Sequence, residues 1–232
     1  MRTSFWTRAF DLIAPRLCAI CKQRLAPNES ILCSTCHLQL PLTRFETQAQ
    51  DNEMARLFWG LIPIERAAAL FFYSPHSSVA QLVYDLKYHH HAEIGYHLGR
   101  IMGRQLSDAA FFEGIDAIVP TPLTRMRQWR RGYNQSELIA RGMAEVCGLP
   151  IYNKVVKRVA FNSSQTQLNK WQRQQNTQDV FRLMKPELVH GRHLLLIDDV
   201  VTTGATLISL AEAIQQAGDV RFSMATIGFT KS

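Results

Sequence analysis

The sequence predicts an α/β fold with a mainly parallel sheet flanked by helices, preceded by a small N-terminal four-cysteine zinc module. Three observations lead to that class. Leu194, Leu195, Leu196 and Ile197 form an unbroken apolar run, as expected of a parallel strand covered on both faces. The run meets two adjacent carboxylates, Asp198 and Asp199, and then a turn, Thr202-Thr203-Gly204-Ala205-Thr206, that opens a helix. At the other end, Cys18, Cys21, Cys33 and Cys36 are spaced C-x2-C-x11-C-x2-C. We place the lead-in and cysteine module at residues 1–45 and the α/β domain at 46–232.

Residues 1–14 are expected to form a short amphipathic helix or lead-in. In the module, two C-x-x-C pairs can each wrap one side of a tetrahedral ion, so Cys18, Cys21, Cys33 and Cys36 are assigned as ligands of a structural Zn2+. Pro27-Asn28-Glu29-Ser30 supplies the turn between the pairs. Disulfides are the competing state, disfavoured in a reducing compartment. His37 is a substitute ligand next to a set that is already complete, and Cys147 fits a small buried apolar side chain. Residues 43–53 are expected to be a loop, Arg66–Tyr73 a strand, and Val79–Tyr88 and Ala92–Leu106 two helices. Gly95, Gly99 and Gly103 stack on one face of the second helix, which marks close helix packing. His89, His90 and His91 fit a solvated turn or a weak metal site. Lys87, just before them, could face the substrate, although its spacing does not establish this.

Ile115–Leu123 is expected to be a buried strand ending in the proline-rich turn Pro120-Thr121-Pro122-Leu123. Arg125, Arg127, Arg130 and Arg131 follow, interleaved with Trp129 and Tyr133, and a helix continues through about Val146. The arginines could neutralise pyrophosphate, bind single-stranded nucleic acid with the two aromatics as stacking platforms, or form the solvated start of a helix. Taken with the pyrophosphate loop that the resemblance given below implies for the proline turn, their position favours the first. The polar stretch Arg158–Phe181, with Gln165, Arg173, Asn176 and Trp171, is either a lid or a solvated loop.

The chemistry centres on the acid pair. Ligands of open parallel sheets bind beyond the carboxyl ends of the strands, and a Thr/Gly turn at a helix N-terminus cradles anions. Two hydroxyl acceptors followed at once by a phosphate nest describe a site for a ribose 5-phosphate. The alternative is a plain buried strand whose acids are solvated. The sequence has no G-x-G-x-x-G and no Gly-Lys dipeptide, which excludes the dinucleotide and triphosphate fingerprints.

Leu194–Thr206 resembles the phosphoribosyl pyrophosphate signature of the type I phosphoribosyltransferases. The order of the zinc knuckle, V-P-T-P-L, R-R-G-Y-N-Q and I-D-D-V-V-T-T-G-A-T is similar to the ComF/GntX family, phosphoribosyltransferase-like proteins associated with competence and DNA utilisation. The resemblance covers about residues 15–228. Some members carry a doubled zinc ribbon; this sequence has one four-cysteine set. The resemblance implies that Asp198 and Asp199 accept the 2- and 3-hydroxyls of ribose, and that Thr202, Thr203, Gly204, Ala205 and Thr206 enclose the 5-phosphate. It implies that Pro120, Thr121, Pro122 and Leu123, followed by Arg131, meet pyrophosphate. Residues 158–181 would form a lid carrying Arg158 and Arg173 to the departing pyrophosphate. The implied ligand is phosphoribosyl pyrophosphate with Mg2+, in a phosphoribosyltransferase acting on a nitrogen nucleophile. The alternative is a non-catalytic accessory protein of DNA uptake that binds single-stranded DNA or a protein partner.

Composition agrees with a globular chain: 232 residues, 47% hydrophobic and 19% charged, with a net charge of +7 that suits anionic ligands. The N-terminus lacks the apolar core of a signal peptide. Residues 67–84 are broken by Pro75-His76-Ser77-Ser78 and do not make a membrane span. The expected location is cytoplasmic. The acceptor and the oligomeric state are left open.

Overall fold

In the computed structural model, residues 15–88, 91–159 and 180–231 are described. The order of elements begins with a short helix in the cysteine module, α1 (Ser34–Gln39), followed by a 3-10 turn at Phe45–Gln48 and α2 (Glu53–Arg56). The expected loop at 43–53 is therefore partly helical. Asn52 explains part of this: its carboxamide oxygen caps the N–H groups of Met54 and Ala55, and its nitrogen donates to the Ala67 carbonyl, tying the segment to the first strand.

That strand, β1 (Ile64–Tyr73), begins two residues earlier than expected and feeds α3 (Ser78–Tyr88) and α4 (Ala92–Asp108). β2 (Ala117–Pro120) is shorter than its apolar run, because Pro120 and Pro122 cannot donate to a sheet ladder. The arginine run forms a helix of its own, α5 (Arg125–Arg131), closed by Gly132 in the left-handed region (φ 79°). Then come α6 (Gln135–Cys147), β3 (Val156–Val159), β4 (Val180–Leu183), β5 (His193–Val201), α7 (Ala205–Gln215) and β6 (Arg221–Thr230).

The main sheet has the order β1-β6-β5-β2 with every pairing parallel. Buried Ala67–Phe71, Leu194–Ile197 and Phe222, Met224 and Ala225 make its centre. An antiparallel bridge from Leu42 to Phe71 covers one edge, and Ile151 extends the other beside Ile118. β5 outruns the expected strand end at Ile197 and continues to Val201. β6 stays beside it, pairing Asp198 with Thr226 and Val200 with Gly228, so the acids lie inside the ladder. α4 and α6 pack closely: a Cβ at Gly99 would collide with the Ile139 carbonyl, and one at Gly142 with the Tyr96 carbonyl. β3 and β4 form a separate antiparallel pair at the feet of the expected lid. Gln165, Trp171, Arg173 and Asn176 lie outside the described residues, as do residues 1–14, His89 and His90.

Candidate functional site

Parallel pairing puts the carboxyl ends of β1, β2 and β5 on one edge of the sheet. Pro120 pairs with Ile197, so Thr121 stands beside Asp198, while Tyr73 closes β1 level with the end of β6. Asp198 and Asp199 are both half-buried there. Asp198 Oδ1 accepts from Ser136 Oγ (3.2 Å) and from the Asp199 N–H (2.9 Å). Asp199 Oδ1 accepts the Val200 N–H (2.7 Å), and its other oxygen lies 2.9 Å from Lys87 Nζ. Burial and then the charge of Asp199 push the Asp198 carboxyl up to about 7, against the opposing pull of the Asp199 N–H, Lys87 and Ser136. Two acids in adjacent positions thus differ in chemistry: one is matched by a lysine, the other holds a proton up to near neutrality.

Beyond Val201 the chain turns through exposed Thr202 and Thr203 to Gly204, which adopts φ 78° as the N-cap of α7. No side chain caps this helix, so its first N–H groups and the positive end of its dipole face outward. A pocket of about 50 Å³, lined by Asp198 and Val200–Leu207, sits in this bend. Phe58, fully buried, backs it: a Cβ on Gly204 would lie 3.0 Å from the Phe58 ring. Glycine is needed both for its φ and for that contact.

The proline turn offers few free backbone donors. Pro120 and Pro122 have no N–H, and the Thr121 N–H donates to the Ile197 carbonyl (2.8 Å), which leaves Leu123 as the remaining backbone donor of the four. Cations gather nearby instead. Lys87, Tyr88, Arg127, Arg130 and Arg131 line a cavity of about 430 Å³. Arg131 donates to Gln135 Oε1 (2.9 Å) and lies over the Tyr88 ring (5.3 Å). Among the described residues the buried Thr121 Oγ1 and Gln135 Nε2 have no hydrogen-bond partner, and orphaned polar atoms of this kind call for an explanation such as a ligand or water. Arg158, on β3, is buried with its guanidinium 5.4 Å over the Phe181 ring. Sequence reasoning placed Lys87 toward the substrate without support from its spacing, and passed over Ser136 and Phe58. All three reach the site from separate elements, and only Ser136 adjoins a motif.

The four cysteines come together as expected. The Sγ atoms of Cys18, Cys21, Cys33 and Cys36 lie within 4.8 Å of one another, and those of Cys21 and Cys33 are 3.7 Å apart. A tetrahedron of Zn–S bonds near 2.3 Å has sulfur–sulfur edges of about 3.8 Å, so the cluster fits a metal such as zinc. The Cys33 and Cys36 N–H groups point at the Cys18 and Cys33 sulfurs at 3.4 Å each. Burial opposes ionisation of Cys18, yet N–H groups of Cys33, Cys21 and Ile20 bring its thiol down to about 6; burial and the neighbouring thiols push Cys36 up to about 12. Of the three histidines at 89–91, His91 is described, and its Nδ1 pairs with Glu93 (3.0 Å).

The parallel α/β sheet, the acid–turn–helix site and the N-terminal thiol cluster define a class of chain, and comparison with known proteins places it. No protein-family model matches the chain. It is 30% identical over 217 residues to the DNA utilization protein YhgH of Salmonella typhimurium, covering 89% of this chain and 94% of that protein. Over 105 residues it is 39% identical to competence protein F of Haemophilus influenzae, 44% of this chain and 45% of that one. The chain belongs to the ComF/GntX family of competence and DNA utilization proteins. Among solved structures, a glutamine phosphoribosylpyrophosphate amidotransferase from B. subtilis is similar over 58% of this chain and 26% of its own, with 18% identity and a TM-score of 0.39. No helix of the described residues is long and apolar enough to cross a membrane.

Proposed function

We propose that the chain binds phosphoribosyl pyrophosphate together with Mg2+ and transfers or recognises its ribose 5-phosphate in nucleotide or DNA-utilisation processes. The observation that carries this reading is the order along one strand end: Asp198 and Asp199, then an uncapped helix N-terminus around a 50 Å³ pocket, with the arginine-lined cavity joined to the acids by Lys87. In this reading the two carboxylates accept the ribose hydroxyls and the amides of 202–206 hold the 5-phosphate. Lys87, Arg127, Arg130 and Arg131 take the pyrophosphate by charge-assisted hydrogen bonds, compensating for a proline turn that is poor in N–H donors. Mg2+, when bound, would supply charge neutralisation of the polyphosphate at the strand end that carries Asp198 and Asp199. In transfer, a nitrogen lone pair forms the new bond to the anomeric carbon. The carbon–oxygen bond breaks, its electron pair leaves with pyrophosphate, and the nitrogen's proton passes to pyrophosphate or water. Catalysis then rests on positioning and on stabilising the leaving group, without a protein nucleophile. The family resemblance also assigns Arg158 and Arg173 to this leaving group, of which Arg158 lies on β3 and Arg173 lies outside the described residues. Zn2+ held by Cys18, Cys21, Cys33 and Cys36 is structural, since four protein ligands leave no open position.

The test is thermal stabilisation by phosphoribosyl pyrophosphate and Mg2+. The double variant Asp198→Asn with Asp199→Asn is expected to abolish the shift seen in the wild type; an unchanged shift in that variant refutes the site.

A second reading, an accessory protein that grips single-stranded DNA, has one observation in its favour. α5 buries none of its residues, and Trp129 is 86% exposed among its four arginines, the combination of stacking platform and cations that single strands require. Strand binding that falls steeply with salt and survives the aspartate double variant supports it.

A further inference from the structure

A second cavity adjoins the arginine-lined one, and its chemistry is different. It has a volume of about 560 Å³ and lies between the carboxyl end of β1, at Tyr73, and the outer face of α3. Tyr84 and Tyr88, one helical turn apart on that face, form its wall. Their ring centroids are 4.9 Å apart at 43°, and the residues are 54% and 56% exposed. Around them stand His76, Ser77, Ser78 and Gln81. No carboxylate lines the cavity, and Lys87, at one end, is its only obligate cation among the described residues. Lys87 and Tyr88 also line the arginine-rich cavity.

Charge is therefore divided between two adjoining spaces. Four cations face one; tyrosine rings, hydroxyls and a carboxamide face the other. Adjacent aromatic rings left half open to water gain most from a flat apolar partner, and neutral amide and hydroxyl groups around them match a ring that carries both donors and acceptors. Among the described residues, a polyanion finds no obligate counter-charge there beyond Lys87. The location also follows the general rule for parallel sheets, since Tyr73 closes β1 on the same edge that carries the acid pair.

We propose that this cavity is a subsite for a neutral planar nitrogen heterocycle of nucleobase size, stacked on Tyr84 and Tyr88. If the phosphoribosyl reading above is correct, this is the acceptor pocket, because Lys87 touches both this space and Asp199 at 2.9 Å. That assignment rests on the phosphoribosyl reading; ring binding does not.

Full-length protein titrated with adenine and with cytosine, with and without inorganic pyrophosphate, tests the subsite by ligand-observed NMR and calorimetry. At least one of the bases is expected to bind saturably. Tyr84→Ala is expected to weaken it about fivefold or more, the lower end of base–aromatic stacking. Tyr88→Leu should act in the same direction, and circular dichroism with a thermal melt reports whether each variant is folded. Absence of saturable binding of either base to the wild type overturns the proposal, and so does affinity unchanged in both folded tyrosine variants. If base binding depends on the tyrosines but phosphoribosyl pyrophosphate fails to bind the wild type, the ring subsite stands and the phosphoribosyl reading falls. The reverse pattern sinks the subsite alone.

Discussion

Asp198 and Asp199 are joined by one peptide bond and answer to different helices. Asp199 meets Lys87 from α3, while Asp198 meets Ser136 from α6. The raised carboxyl of Asp198 has a consequence for stability. The unfolded chain releases that proton near pH 4, whereas the native site keeps it to about 7. The native state thus holds the extra proton between those values, and the group's contribution falls as pH rises through them. Asp198→Asn is expected to raise the Tm of the ligand-free protein at pH 8 while changing it less at pH 5, read by thermal melts across that range. Ribose hydroxyls favour the ionised acceptor, so phosphoribosyl pyrophosphate binding near neutral pH should release protons, detected as a buffer-dependent heat in calorimetry. Lys87→Met leaves Asp199 without its cation and removes one wall of the arginine-lined cavity. The affinity for phosphoribosyl pyrophosphate is expected to fall roughly tenfold or more, as for loss of a charge-assisted contact.

At the scale of elements, the site depends on how closely α4 can approach α6. α6 carries Asn134 at its cap, Gln135 and Ser136 at its start, and Asn134 holds the proline turn through the Thr121 carbonyl (3.0 Å). Gly99 and Gly142 let the two backbones meet, and neither helix can yield without shifting those residues. Gly99→Ala and Gly142→Ala are each expected to destabilise by about 1–3 kcal/mol or more through overpacking, measured by urea unfolding. Gly148 is a useful contrast. An added Cβ there meets nothing within 4 Å, but its φ of 74° costs an alanine about 1–2 kcal/mol. One pair is limited by space, the other position by backbone conformation.

Across the whole molecule, α3 connects the two ends of the chain. Its Asp85 faces Lys22 of the cysteine module (3.9 Å), its Gln81 donates to the Ala19 carbonyl (3.5 Å), and its Lys87 reaches the acids. Cys18, Leu25, Ile31 and Leu32 are buried in the same apolar cluster as the sheet, so the module is packed onto the body of the protein. Removing metal with a chelator is expected to lower the Tm and to open residues 15–43 to proteolysis ahead of the sheet, because four crowded thiols lose the ion that draws them together. Metal analysis finding less than about half a zinc per chain in freshly purified protein would count against a zinc module.

Local order in the chain was enough to specify the apolar strand, the acid pair, the glycine turn and the cysteine spacing, since each is a run of neighbours whose chemistry is complete within a dozen residues. The glycine face of α4 was legible for the same reason, by helical periodicity. What the folded arrangement alone decided was how far β5 extends, because the strand's end is set by β6 lying beside it. It also decided that Lys87, Ser136 and Phe58 converge on one strand end, from positions 58 to 136 in the chain, and that the proline turn spends its threonine N–H on the sheet. These are outcomes of pairing between distant segments, and no pattern of nearby residues encodes them.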